Sequence, residues 1–119
     1  MRVYNFKQVG NIGHIYIFGS IVAGAWPEYG EVSVTSFRDD FDALSDSCDE
    51  LVVHINSPGG NVFEGLGICS IIKDSAKPVT TINEGIAFSM GAVVLEAGAK
   101  RKSARGALLM FHSAASCVS

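Results

Sequence analysis

The chain has 119 residues, 48% hydrophobic and only 18% charged, which suits one domain with a buried core and leaves an apolar surplus for a chain of this size. Its formal net charge of −3, without a basic cluster, excludes the electrostatic footprint of a nucleic-acid or anionic-membrane binder. No apolar run approaches the roughly 18 residues of a membrane span.

The surplus of apolar residues predicts surface covered by partner subunits. Cys48, Cys69 and Cys117 form no C-x-x-C pair and leave an odd one over, which fits a reducing compartment, with the cytoplasm as the expected location. Met1 to Lys7 lacks the apolar core of a secretory signal.

In chain order, Ile12 to Phe18 is rich in β-branched and aromatic residues and ends at Gly19, predicting a strand. His14 within it is expected to be a packed or edge residue with nothing reactive beside it. Residues 20–31 hold Gly24, Pro27 and Gly30 and predict a loop, pinned by a core contact of Trp26.

Val34, Phe37, Phe41 and Leu44 recur at helical spacing behind Ser33 as N-cap, with Arg38, Asp39, Asp40 and Asp42 on a solvated face. As a metal cluster that face is weak, because no His or Cys joins it at ligand spacing. Leu51 to Ile55 is a short run with little alternation, predicting a strand covered on both faces and a structural role for His54.

Ser57-Pro58-Gly59-Gly60 forms a turn whose glycines permit backbone angles and close approaches denied to other residues. Asn61 to Glu64 has capping-box spacing and opens a helix with Val62, Leu66, Cys69 and Ile72 on one face, stopped by Pro78. Cys69 is expected to be a small core residue. Val79 to Ile82 is a strand, Gly85 to Gly91 opens a helical segment, and Ser89 to Ala97 is an apolar helix ending at Gly98. Residues 99–105 hold four of the nine basic residues and fit a solvated turn as well as an acidic-ligand site, before a last strand from Ala107 to Phe111.

Strands alternating with helices predict an α/β domain with a mainly parallel sheet and right-handed crossovers. In such sheets reactive groups gather at the carboxyl ends of strands, and Gly60, Ser89 and His112 all follow strands here. A serine at a strand-to-helix turn, a histidine at a strand end and a glycine pair at another turn are the parts of a serine hydrolase: nucleophile, base and oxyanion donors. Taken singly, Ser89 reads better as a helix cap and His112 as a buried strand-end residue; it is their order with the glycine pair that favours the catalytic reading.

Asn56-Ser57-Pro58-Gly59-Gly60, Gly85-x-x-x-Ser89-Met90-Gly91, Ala97-Gly98-Ala99-Lys100 and Met110-Phe111-His112 together resemble the proteolytic subunit of Clp proteases across Leu51 to His112. The N-terminal part, with Ile17-Phe18-Gly19, Trp26 and Val32 to Phe37, and the stretch Asn61 to Leu66, look more like the Clp-related head-maturation proteases of bacteriophages.

The resemblance implies a Clp/crotonase-like fold of repeated β-α-β units, here as one domain over 1–119, and a serine endopeptidase. Carried over, Ser89 is the nucleophile, His112 the base, the N–H groups of Gly60 and Met90 the oxyanion hole, and Asn61 and Val62 the segment beside which a peptide adds as a strand. It further implies a peptide or protein substrate, a homo-oligomeric ring, an ATP-dependent unfoldase or phage capsid proteins as partners, and no cofactor or metal, nucleic acid or membrane. The family's triad acid comes from well beyond the histidine, whereas no Asp follows Asp74 and the chain stops seven residues after His112. The expectation is therefore a C-terminally short form with weak activity. Two other readings stand beside it: an inactive fragment or assembly subunit that keeps the fold, and a crotonase-type acyl-CoA enzyme, which needs an oxyanion hole but no serine nucleophile.

Overall fold

The computed structural model describes residues 5–111, so the expectations for His112 and Cys117 lie outside the described residues. Its strands are β1 (Phe6–Val9), β2 (Ile12–Ile17), β3 (Glu50–Ser57), β4 (Val79–Phe88), β5 (Lys100–Ser103) and β6 (Leu108–Met110). Three helices, α1 (Val34–Ser47), α2 (Val62–Lys73) and α3 (Met90–Glu96), connect them. The sheet order is β1-β2-β3-β4-β5, with β6 also on β4; β1 is antiparallel to β2 and every other pair is parallel.

The repeated β-α-β crossovers put all three helices on one face, where Ile15, Ile17, Leu51, Val53, Ile55 and Val79 meet Phe37, Phe41, Leu44, Ile68, Ile72 and Val94 in one core. The other face carries His14, Tyr16, Val52, His54, Thr80 and Ile82 and is only half buried. The expectation that β3 is covered on both faces is thus corrected, because successive crossovers of one hand leave the far face without helices. Among the described residues no helix is long and apolar enough to cross a membrane.

Helix α1 follows its sequence closely. The Ser33 side chain accepts from the Ser36 N–H, and the Ser36 side chain accepts from the Ser33 N–H, closing a capping box. In α2 the Asn61 side chain accepts from the Glu64 N–H as expected, but Glu64 does not reach back; its carboxylate instead accepts from the Val34 N–H at 2.9 Å, tying the two helix starts together. The buried face of α2 is Gly65, Ile68, Cys69, Ile71 and Ile72, while Val62 and Leu66 are exposed. The small residues cause this rotation, since α2 lies against Met90 through Gly65 and against Val34 through Gly67.

Three further expectations are corrected. Trp26 is 63% exposed and pins nothing; the loop is held by main-chain bonds from Val22 N–H to Val32 O and from Val32 N–H to Ser20 O. Residues 100–103 are a strand beside β4 rather than a turn, because even this basic stretch has a free sheet edge to pair with. Gly85 to Phe88 continue β4 rather than opening a helix.

That long β4 is the element that shapes the site. Ile55 pairs with Asn83 but Ser57 pairs with Ala87, so β4 carries two extra residues at this point and bulges. Below the bulge β4 pairs with β5 through Asn83, and above it with β6 from Ile86. The bulge is held by side-chain amides: Asn56 accepts from the Ile86 N–H at 3.1 Å and Asn83 from the Gly85 N–H at 3.2 Å.

Candidate active site

Ser89 occupies the single residue between β4 and α3. Its φ of 53° and ψ of −118° make it the one non-glycine with positive φ among the described residues. Such a conformation costs on the order of 1–3 kcal/mol and persists where the surroundings enforce it. Here they do: the Ser89 N–H donates to Met110 O at 2.8 Å, and its carbonyl accepts from Ala92 and Val93 at 3.0 and 3.2 Å. A sharp strand-to-helix turn of this kind presents the nucleophile in serine hydrolases of the α/β type. Ser89 makes no side-chain cap bond, so its hydroxyl is not committed to the helix it precedes.

The glycine pair is brought to this turn. A Cβ on Gly59 would lie 2.6 Å from Phe88 O and 3.0 Å from both Met90 N and the Ser89 Cβ, and its φ is +95°. Gly60, at φ +148°, forms a parallel bridge with Ile21: Ile21 N–H donates to Gly59 O and Asn61 N–H to Ile21 O. A Cβ there would fall on Ile21 O, so only glycine fits. In such a bridge the flanking residues make the hydrogen bonds, leaving the Gly60 N–H on the side away from Ile21; among the described residues it meets no acceptor. Met90 is the first residue of α3, whose N–H has no partner within the helix. Buried Ser57 completes the turn by accepting from the Gly59 N–H at 3.0 Å.

Of the residues singled out in the sequence, Ser89, Met90 and Gly59-Gly60 are therefore brought together. Asn61 and Val62 follow directly, but the Asn61 N–H is taken by Ile21 O and its carbonyl by the Gly65 N–H, while Val62 begins α2 with an exposed side chain. His112 lies outside the described residues; β6 ends at Met110, two positions before it in sequence. Glu96, one carboxylate of this half, is paired with Arg101 at 2.7 Å. Cys69 is buried, and burial raises its thiol pKa, so it is no thiolate nucleophile.

Sequence reasoning missed two groups. Asn83 is 1% exposed inside an apolar strand, and its signal was that very polarity, since a buried amide must be hydrogen-bonded. His14 does have reactive neighbours: its Nδ1 lies 2.8 Å from His54 Nε2, whose Nδ1 lies 2.5 Å from a Glu84 carboxylate oxygen, and Tyr16 stacks on His54 with ring centroids 4.7 Å apart. Burial, then His54 and Lys7, hold His14 below the usual histidine range. Centroids of the two imidazoles are 5.1 Å apart with an interplanar angle of 26°, and the facing ring nitrogens are within hydrogen-bond distance. Among the described residues no group of three ligands could hold a metal.

Comparison with known proteins bears on the family and the fold. Residues 41–119 match the family described as Clp protease. The chain is 42% identical over 65 residues to an ATP-dependent Clp protease proteolytic subunit 1 of Prochlorococcus marinus (strain MIT 9312), covering 53% of this chain and 33% of that protein. It is 47% identical over 53 residues to an ATP-dependent Clp protease proteolytic subunit of Bacteroides fragilis, covering 44% of this chain and 26% of that protein. The chain thus spans about a third of the length of the curated relatives it matches. Its fold superposes on a ClpP1 variant from Listeria monocytogenes with a TM-score of 0.71 at 24% identity, covering 83% of this chain and 55% of that one. With two thirds of its residues in the matched segment, the chain belongs to the Clp protease family.

Proposed function

We propose that this protein is a serine endopeptidase of the Clp type, with Ser89 as nucleophile, His112 as base and the N–H groups of Gly60 and Met90 as oxyanion donors. The observation that carries this reading is the strained Ser89 turn wedged against the glycine pair, with two main-chain donors beside it that meet no acceptor among the described residues.

In the reaction, Ser89 Oγ attacks the peptide carbonyl carbon while His112 removes the hydroxyl proton. The carbonyl oxygen becomes an oxyanion held by the two N–H groups, and the tetrahedral species collapses as His112 passes the proton to the leaving amine. Water then takes the place of the amine, and the acyl-enzyme is hydrolysed by the same steps in reverse. Preorganised donors matter because they need no rearrangement as charge develops; each is worth about 3 kcal/mol of transition-state stabilisation.

The peptide would cross the exposed side chain of Val62, with Asn61 fixing the start of α2 beneath it. Val62, Phe63 and Leu66 on α2, with Leu108 to Phe111, leave apolar surface exposed, which favours a homo-oligomer; a closed ring and a cytoplasmic location belong to the same reading through the family. An unfoldase partner, and a role in phage capsid maturation or protein turnover, extend the same reading. Cleavage of a short fluorogenic peptide tests it. The expected result is turnover that falls to background in Ser89→Ala and in His112→Ala; turnover retained in Ser89→Ala overturns the assignment.

A further inference from the structure

Asn83 stands where β4 changes partners from β5 to β6, and both ends of its amide are used there. Its Oδ1 accepts from the Gly85 N–H at 3.2 Å, inside the bulge, and its Nδ2 donates to the carbonyl of Leu108, the first residue of β6, at 2.9 Å. The orientation of the amide is settled by chemistry: an N–H can only donate and a carbonyl can only accept, so the oxygen must face Gly85 and the nitrogen Leu108. Asn83 is 1% exposed, so its own amide has no solvent to turn to if either bond is lost.

The main chain continues the same connection. The Asn83 carbonyl accepts from the Ala104 N–H, at the exit of β5. Above the bulge, Ile86, Ala87 and Phe88 pair with Leu108, Leu109 and Met110, and the Ser89 N–H closes the ladder on Met110 O. Strand β6 is short and exposed, with Leu108 at 60% and Leu109 at 50%, so little packing holds it beyond this ladder. One end of β6 is thus anchored by Asn83 and the other by the nucleophile's own backbone.

We propose that Asn83 is a positioning residue for Ser89: its buried amide locks the bulge of β4 to β6, so that the turn carrying the nucleophile and the strand leading to His112 hold one fixed relation. This rests on the Ser89–His112 reading, but the coupling of Asn83 to the Ser89 turn can be measured apart from it. Asn83 does not touch substrate; it acts through the Ser89 N–H to Met110 O bond and the strand that supplies it.

Two substitutions in the 119-residue chain separate the roles. Asn83→Asp keeps the oxygen that faces Gly85 and, when ionised, loses the donor to Leu108; when protonated, the carboxyl can donate again. Asn83→Val loses both bonds, keeps a strand-favouring shape and adds no titrating group, so it controls for Glu84 next in sequence. The rate of Ser89 modification by a fluorophosphonate is measured from pH 5 to 9 for each, as a ratio to wild type at the same pH, so that titration of His112 cancels. Amide hydrogen exchange of Ser89 and β6 is followed in parallel.

The expected results are a modification rate reduced about 10- to 100-fold in Asn83→Val at every pH, and an Asn83→Asp ratio that rises as pH falls. Faster exchange of the Ser89 and β6 amides should accompany both, while β2 and β3 amides keep their protection. A purely structural role would lower stability but leave the modification rate per folded molecule, and the exchange of the Ser89 amide relative to β2 and β3, at their wild-type values. Rates equal to wild type in both variants, or unchanged Ser89 exchange, overturn the proposal. If wild type itself does not react at Ser89, the nucleophile reading fails, and exchange alone decides whether Asn83 governs the turn. A globally unfolded Asn83→Asp leaves the decision to Asn83→Val.

Discussion

Two serines in this molecule stand at helix starts, and they are used in opposite ways. Ser33 has extended backbone, φ −111° and ψ 168°, and its hydroxyl accepts from the Ser36 N–H in a closed capping box. Ser89 has φ 53° and ψ −118°, and no cap bond. A serine that caps a helix relieves an orphan donor, and its position is explained by stability alone. Ser89 occupies a costly conformation and leaves the first N–H of its helix without a side-chain acceptor. The lesson is that a strained turn which forgoes its own cap, enforced by Gly59 on one side and Met110 O on the other, is organised around something other than folding stability.

The largest expected break in that comparison comes from the glycine pair. In Gly60→Ala the added methyl would overlap Ile21 O, and at φ +148° an L side chain is strained even without that clash. We expect loss of peptide cleavage by more than about 100-fold, the scale of one lost oxyanion donor, together with a lower melting temperature. Steady-state kinetics and thermal unfolding check both, and full activity in Gly60→Ala would remove Gly60 from the site.

Ser33→Ala should do the reverse. Loss of the capping box costs about 1 kcal/mol of stability and leaves cleavage per folded molecule unchanged. Urea unfolding paired with kinetics measures the split, and an equal loss of activity would erase the distinction between the two serines.

The smallest effect lies further along the helix that Ser33 begins. Burial first, and then neighbouring Asp39, push the Asp40 carboxyl up to about 6 from 3.8. A raised folded pKa means the native state holds the proton more tightly. That contribution is fully present below pH 3.8 and is lost as pH rises through about 6. Asp40→Asn should therefore stabilise the protein at pH 7, by no more than about 1 kcal/mol because the side chain is partly solvated, and give no gain below pH 4. Unfolding free energies at the two pH values check the sign.

Much of this was legible in the sequence where local pattern and tertiary structure agree. The spacing of Phe37, Phe41 and Leu44 behind Ser33 marked α1, and the apolar runs at Ile12, Leu51 and Val79 marked the central strands. Ser89 and the glycine pair stood out because their residue types suit sharp turns. The bulge in β4 was not legible, since it depends on the amide of Asn56, 30 residues away, as well as on Asn83 within the strand, and no local spacing marks it. Nor was the outward turn of Val62 and Leu66, because glycines rather than large apolar residues set the contacts of α2. The His14–His54–Glu84 chain joins three strands far apart in sequence, and periodicity within one strand carries no information about it.

The most direct test of the central claim is to treat the protein with a fluorophosphonate and map the adduct across every serine by peptide mass spectrometry. The account predicts one adduct, on Ser89, absent in Ser89→Ala, with none on Ser33. An adduct on Ser33, or labelling that persists unchanged in Ser89→Ala, would contradict it.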